Sequence, residues 1–176
     1  MGYERQVALM NRQRIDRALQ RIAYQIVEDA HSDATIVLAG IEHRGFAVAG
    51  ALQHHLQSII GMPEAPVKLT VKKGEPNISD TDASRVADIE NAYLVLVDDV
   101  IFSGKTMFKA LRLVASDELD GEIHVAVLVD RGHRTLPVLA RFVGIDIPTK
   151  LNEHVAVELD ENDALDRVVL YKAQSD

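Results

Sequence analysis

The chain has 176 residues, with 19 basic and 27 acidic side chains, a formal net charge of −8 and no cysteine. The length suits one domain, residues 1–176, built on one core. The lack of cysteine excludes a disulfide framework and thiolate chemistry, and the acidic balance excludes a general polyanion binder. No apolar run approaches the ~20 residues of a bilayer span, and Met1-Gly2-Tyr3-Glu4-Arg5-Gln6 has no basic run leading into an apolar stretch. A cytoplasmic protein with no membrane partner is expected.

From Asn11 to about Ala30, the apolar residues Ile15, Leu19, Ile22 and Ile26 recur at helical spacing, with Asn11 as the expected N-cap. Thr35–Ala39 is a short apolar run ending at Gly40, the mark of a buried strand. The segment Ile41-Glu42-His43-Arg44-Gly45 is expected as a loop, leading to a helix from about Phe46 to Ile59 that Gly61 and Pro63 end. Val67–Lys72 alternates like a half-wet strand, and Lys73–Asn91 is polar enough for a long exposed loop. Tyr93–Val97 and Ile123–Val129 are further buried strands, and a helix is predicted from about Lys105 to Ala115. Short strands near His154–Leu159 and Val168–Tyr171 close the chain. Apolar strands alternating with helices predict an α/β fold with a parallel sheet covered on both faces. Ligands then bind beyond the carboxyl ends of the strands, where the loops 40–45, 98–106 and 130–134 leave.

The loop after the second of these strands carries the most chemistry. Two acids, Asp98 and Asp99, follow the strand; Val100, Ile101 and Phe102 come next, and Ser103-Gly104-Lys105-Thr106 opens a helix. Free N–H groups and the helix dipole favour an anion at that helix start. Gly104 permits close backbone approach, and the Ser103 and Thr106 hydroxyls add donors. The two carboxylates suit the vicinal hydroxyls of a ribose, so a sugar phosphate fits across the loop. A Walker A loop is excluded, because only Gly104 is present of the two glycines that motif requires. No carboxylate–histidine cluster has metal-site spacing, so no protein-held metal is expected.

The string Val97–Thr106 resembles the phosphoribosyl-pyrophosphate motif of type I phosphoribosyltransferases. Gly40-Ile41-Glu42-His43-Arg44-Gly45 resembles the pyrophosphate loop of the same family. Val127–Pro137, Arg17–Ala23, Gly144 and Ile147-Pro148-Thr149 narrow the resemblance to the PyrR family, the bifunctional pyrimidine operon regulators and uracil phosphoribosyltransferases. This resemblance implies the type I phosphoribosyltransferase fold, a central mainly parallel sheet flanked by helices with a flexible hood loop over residues 72–91. It implies transfer of ribose 5-phosphate from phosphoribosyl pyrophosphate to a pyrimidine, uracil first, with Mg²⁺ held mainly through the substrate.

By resemblance, Asp98 and Asp99 orient the ribose and stabilise its cationic transition state, and Arg44 balances the departing pyrophosphate. Val129, Asp130 and Arg131 border the base. Purine-salvage relatives usually place an Asp where this chain has Phe102, which favours a pyrimidine. The family's Leu-Tyr-Arg-Asp-Asp segment is replaced here by Lys68-Leu69-Thr70-Val71-Lys72-Lys73-Gly74, and lysine lacks the bidentate fork of arginine. A second reading is a nucleotide-sensing, RNA-binding regulator with weak or no catalysis, using Arg12, Arg17, Arg21, Arg131, His133, Arg134 and Arg141. The net charge of −8 opposes RNA. Relatives form dimers or larger assemblies, so a homo-oligomer is implied.

Overall fold

The computed structural model describes residues 3–61, 64–71, 77–78, 89–115 and 121–173. Strand β1 (Tyr3–Asn11) leads into α1 (Arg12–Asp29), and Asn11 caps that helix by accepting from the Arg14 N–H at 3.0 Å. Then follow β2 (Thr35–Ile41), α2 (Glu42–Ile60), β3 (Val67–Thr70), β4 (Asn77–Ile78), β5 (Ala92–Ile101) and α3 (Lys105–Val114). The chain ends with β6 (Gly121–Asp130), β7 (Phe142–Asp146), β8 (His154–Leu159) and β9 (Leu165–Ala173).

The larger sheet runs β4-β3-β2-β5-β6-β7; all neighbours are parallel except β4, which pairs antiparallel with β3. Its central strands are apolar on both faces because helices cover both. Ile36, Leu38, Tyr93, Val95, Val97, Ala126 and Leu128 point into the core shared with α1 and α2. The alternate residues Val37, Ala39, Leu94, Leu96, Val125 and Val127 meet Met107, Ala110 and Val114 of α3. The period of two along each strand thus divides one apolar run between two layers. A second, antiparallel sheet in the order β1-β9-β8 adds Val155, Val157, Val168 and Leu170 to the α1–α2 layer. The five parallel strands end beside the first turns of α2 and α3, which sets the site. No helix among the described residues is long and apolar enough to cross a membrane.

The expected α/β architecture is present, with four differences. Helix α2 begins at Glu42, not Phe46, so the expected loop 42–45 is its first helical turn. The chain reverses within one residue, because Ile41 is extended and Glu42 adopts a left-handed φ of 53°. Gly40 and Gly45 make the tight turn possible: a Cβ on Gly40 would lie 2.4 Å from Phe46 Cα, and one on Gly45 would lie 2.7 Å from Val97 O. Strands β1 and β7 were not expected, and β4 lies in a stretch expected as loop. The expected hood loop at 72–91 falls largely outside the described residues.

Candidate functional site

The turn between β5 and α3 is shaped by Gly104, which sits at the helix N-cap with φ 82° and contributes no side-chain cap. The opening N–H groups of α3 are therefore left to meet an anion rather than a capping oxygen, although Lys105 N–H lies 3.4 Å from Ser103 Oγ. A small cavity of about 100 Å³, lined by Asp98 and Val100–Met107, opens directly over this turn.

Asp98 is buried, 8% exposed, and its Oδ1 accepts the Asp99 N–H at 2.9 Å. Burial holds its carboxyl well above the usual range, and the neighbouring charges of Asp99 and Glu42 add to the effect. A second cleft of about 470 Å³ adjoins, lined by Ile41, Glu42, His43, Arg44, Asp98, Asp99, Val100 and Thr106. The two segments picked out as ribose-phosphate and pyrophosphate sites therefore face one another across a single opening. Within it Glu42 is anchored, its Oε1 accepting the Val71 N–H at 2.8 Å, and His43 Nε2 lies 3.0 Å from Asp163 Oδ1.

The third segment, 129–131, lies beside the β5–α3 turn. Arg131 N–H donates to Ile101 O at 3.0 Å, Thr135 N–H to Ser103 O at 3.1 Å, and Arg134 Nη1 to Phe102 O at 2.8 Å. Val129 is wholly buried. Asp130 is spent on its own loop, with Oδ1 accepting Gly132 N–H at 2.8 Å and Oδ2 paired with Arg134 Nη2 at 2.6 Å. Arg131 is buried; it donates to Thr149 Oγ1 at 3.0 Å and to Glu153 O at 2.5 Å, and its guanidinium lies 4.4 Å from the Phe102 ring centroid. The other face of this wall carries His133, 5.5 Å from Phe102 between ring centroids and bonded to Thr149 O.

Three residues beside the site have no motif in the sequence: Glu153, His154 and Asp163. His154 on β8 is held below the usual imidazole range by burial and by the positive charges of Arg131 and Arg44, with Asp99 pulling the other way. The arginines considered for a basic face are mostly engaged. Arg12 pairs with Asp160 and Asp166, Arg134 with Asp130, and Arg141 with Asp29, while Arg21 donates to Val143 O and Gly144 O. Arg14, Arg17 and Arg21 nevertheless line an open cleft of about 450 Å³ with Met10, Ala18, Gly144 and Ile145. Among the described residues, no group of three or more His, Cys, Asp or Glu side chains is arranged to hold a metal ion.

Residues 6–162 match the family model described as phosphoribosyl transferase domain. The bifunctional protein PyrR of Listeria welshimeri is 36% identical over 180 residues, covering 96% of this chain and 98% of that protein. The bifunctional protein PyrR of Chloroflexus aurantiacus is 36% identical, covering 99% of each. The hypoxanthine phosphoribosyltransferase of Trypanosoma cruzi superposes with a TM-score of 0.73 at 17% identity, over 95% of this chain and 97% of that one. At that identity the superposition speaks for the fold alone. Fold, loop sequence and full-length similarity converge: the chain belongs to the phosphoribosyl transferase family, within its PyrR group, and is a phosphoribosyltransferase.

Proposed function

We propose that this chain, acting as one unit, transfers ribose 5-phosphate from phosphoribosyl pyrophosphate to uracil, with uridine monophosphate and pyrophosphate as products. The observation that carries this reading is the pairing of Asp98 and Asp99 with the uncapped start of α3 across one cleft from Arg44. The 5-phosphate would sit on Ser103–Thr106, and the ribose diol would bond Asp98 and Asp99. As the C1–pyrophosphate bond loosens, positive charge grows on the ribose ring and negative charge on the leaving group. The aspartates stabilise the first and Arg44 the second. Asp98 is well suited to this, because a cation forming beside its buried carboxyl would favour the ionised form that burial alone disfavours.

The base would lie against the loops 100–102 and 129–131. Phe102 offers an apolar face and no carboxylate, which fits a pyrimidine better than a purine. The residues present fit a Mg²⁺ that arrives on the substrate: the cleft offers hard carboxylate oxygens, Asp99, Asp98 and Glu42, without a closed ligand set. When bound, the ion would offset charge on the pyrophosphate, with Asp98 and Asp99 as the carboxyls beside it. The test is a panel of bases with phosphoribosyl pyrophosphate and Mg²⁺. Turnover of uracil well above hypoxanthine and guanine is expected, and preference for a purine would overturn the assignment.

A second reading, regulation by RNA binding, is favoured by the cleft of Arg14, Arg17 and Arg21, none of which is ion-paired to a carboxylate among the described residues. The overall charge of −8 works against it. Retention of a leader RNA in a gel, lost on Arg17→Ala with Arg21→Ala, would support this second activity. A homo-oligomer and a cytoplasmic location complete the proposal.

A further inference from the structure

The β5–α3 turn is held from behind by the loop that follows β6. Three successive carbonyls of the turn, those of Ile101, Phe102 and Ser103, each accept from that loop: from Arg131 N–H at 3.0 Å, Arg134 Nη1 at 2.8 Å and Thr135 N–H at 3.1 Å. The peptides here are trans, and in a trans peptide the carbonyl and the next N–H point in opposite directions. The N–H groups of Phe102, Ser103 and Gly104 are therefore turned away from the 131–135 loop. The cavity proposed for the 5-phosphate opens on that other side: Asp98 and Val100–Met107 line it, and residues 131–135 do not. Successive N–H groups facing one way suit an anion, and here their direction is set from outside the turn.

Arg134 ties this arrangement together. Its Nη1 also reaches Gly132 O at 3.2 Å, its Nε donates to Val138 O at 3.1 Å, and its Nη2 pairs with Asp130 Oδ2 at 2.6 Å. One planar fork thus joins the turn to the loop, a geometry that lysine cannot copy. The side chain is only 21% exposed. Its stem closes the space behind Gly104, where an added Cβ would lie 3.6 Å from Arg134 Cδ and 3.4 Å from Val138 Cβ. Because Asp130 neutralises the guanidinium, the pair adds little net charge to attract a phosphate. What it contributes is direction.

We propose that Arg134 is a positioning residue for the 5-phosphate. By holding the Phe102 carbonyl outward it aims Ser103 N–H at the phosphate, and it does so by geometry rather than by charge. The loop that borders the base thereby also holds the phosphate turn. The inference rests on the reading that places the 5-phosphate at Ser103–Thr106, and not on the identity of the base.

Calorimetry tests it, with ribose 5-phosphate as one ligand and inorganic pyrophosphate with Mg²⁺ as the other. Wild type, Arg134→Gln and Arg134→Lys are compared, each first shown to be folded by its melting curve. Both variants should bind ribose 5-phosphate about 10-fold or more weakly. Pyrophosphate binding, across the cleft, should change by less than about 2-fold. In turnover, KM for phosphoribosyl pyrophosphate should rise by a similar factor, with a smaller fall in kcat. Lysine keeps the stem and the charge opposite Asp130, so it decides the matter should the glutamine form not fold. Wild-type affinity for ribose 5-phosphate in Arg134→Lys overturns the proposal, because charge alone then suffices. An equal loss for both ligands also overturns it, since that marks a general loosening of the cleft. No ribose 5-phosphate binding by wild type overturns the phosphate reading and the proposal with it. If uracil gives no product while ribose 5-phosphate binding depends on Arg134, the base assignment falls and the Arg134 assignment stands.

Discussion

The two halves of the cleft are built on opposite plans. The half proposed for ribose phosphate, 98–106, is chiefly a backbone device: a left-handed glycine, an uncapped helix start and a buried carboxyl, with the 131–135 loop bonding the carbonyls of residues 101–103. The half proposed for pyrophosphate, 42–45, is a side-chain device in which Glu42 is engaged with Val71 N–H and His43 with Asp163. The difference teaches that the first half can be recognised from contiguous residues, whereas the second can be recognised only together with its distant partners. Substitutions in the first should act on chemistry, and those around the second on geometry and on pH response.

The largest expected effect is at Asp98. Asp98→Asn should lower kcat by about 100-fold or more and at the same time raise the melting temperature by about 2–4 °C. Its carboxyl is held well above the usual range by burial. Stability linked to it is therefore fully present below the ordinary carboxylate pKa and is lost as pH rises through the folded value. Thermal melts at pH 5 and pH 7 check this: the Asn variant should lose that part of the slope. A variant that is both less active and less stable would break the contrast between the two halves.

Gly45→Ala comes next. Its Cβ would meet Val97 O at 2.7 Å, a backbone atom that cannot swing away. A loss of about 2–3 kcal/mol by denaturant titration is expected. Arg131→Lys keeps the charge but loses the fork to Thr149 and Glu153 and the stacking on Phe102. It should cost about 1–2 kcal/mol and raise KM for the base more than KM for phosphoribosyl pyrophosphate.

Smaller effects lie away from the cleft. Asp29 is pulled down to about 2, first by Arg141 and then by Tyr93 O–H. Its contribution is present above the ordinary carboxylate pKa and is lost as pH falls towards 2, so Asp29→Asn should flatten acid unfolding in that window. Arg12→Ala breaks only exposed pairs and should leave the denaturant midpoint nearly unchanged.

The turn at 98–106 was legible because its elements are contiguous: a strand, two acids and a helix start within ten residues. The alternation that splits Tyr93–Val97 between two core layers was legible for the same reason. What escaped was non-local. Strand β1 is defined by pairing with β9, Val7 opposite Leu170, and β7 carries Gly144, a weak strand former. That glycine is required because a Cβ there would lie 2.5 Å from Leu128 O. Asp163 has the look of a solvated acid in an acidic tail, and only the folded hairpin brings it to His43. The start of α2 was misplaced because Gly45 suggested a loop, whereas it marks the close approach of helix to strand.

The most direct test is uridine monophosphate formation from uracil, phosphoribosyl pyrophosphate and Mg²⁺, comparing wild type with Asp99→Asn. Product in the wild type, falling by about 100-fold in the variant while phosphoribosyl pyrophosphate still binds, is the predicted result. Equal turnover in both proteins would contradict the site, and no product from the wild type would contradict the reaction.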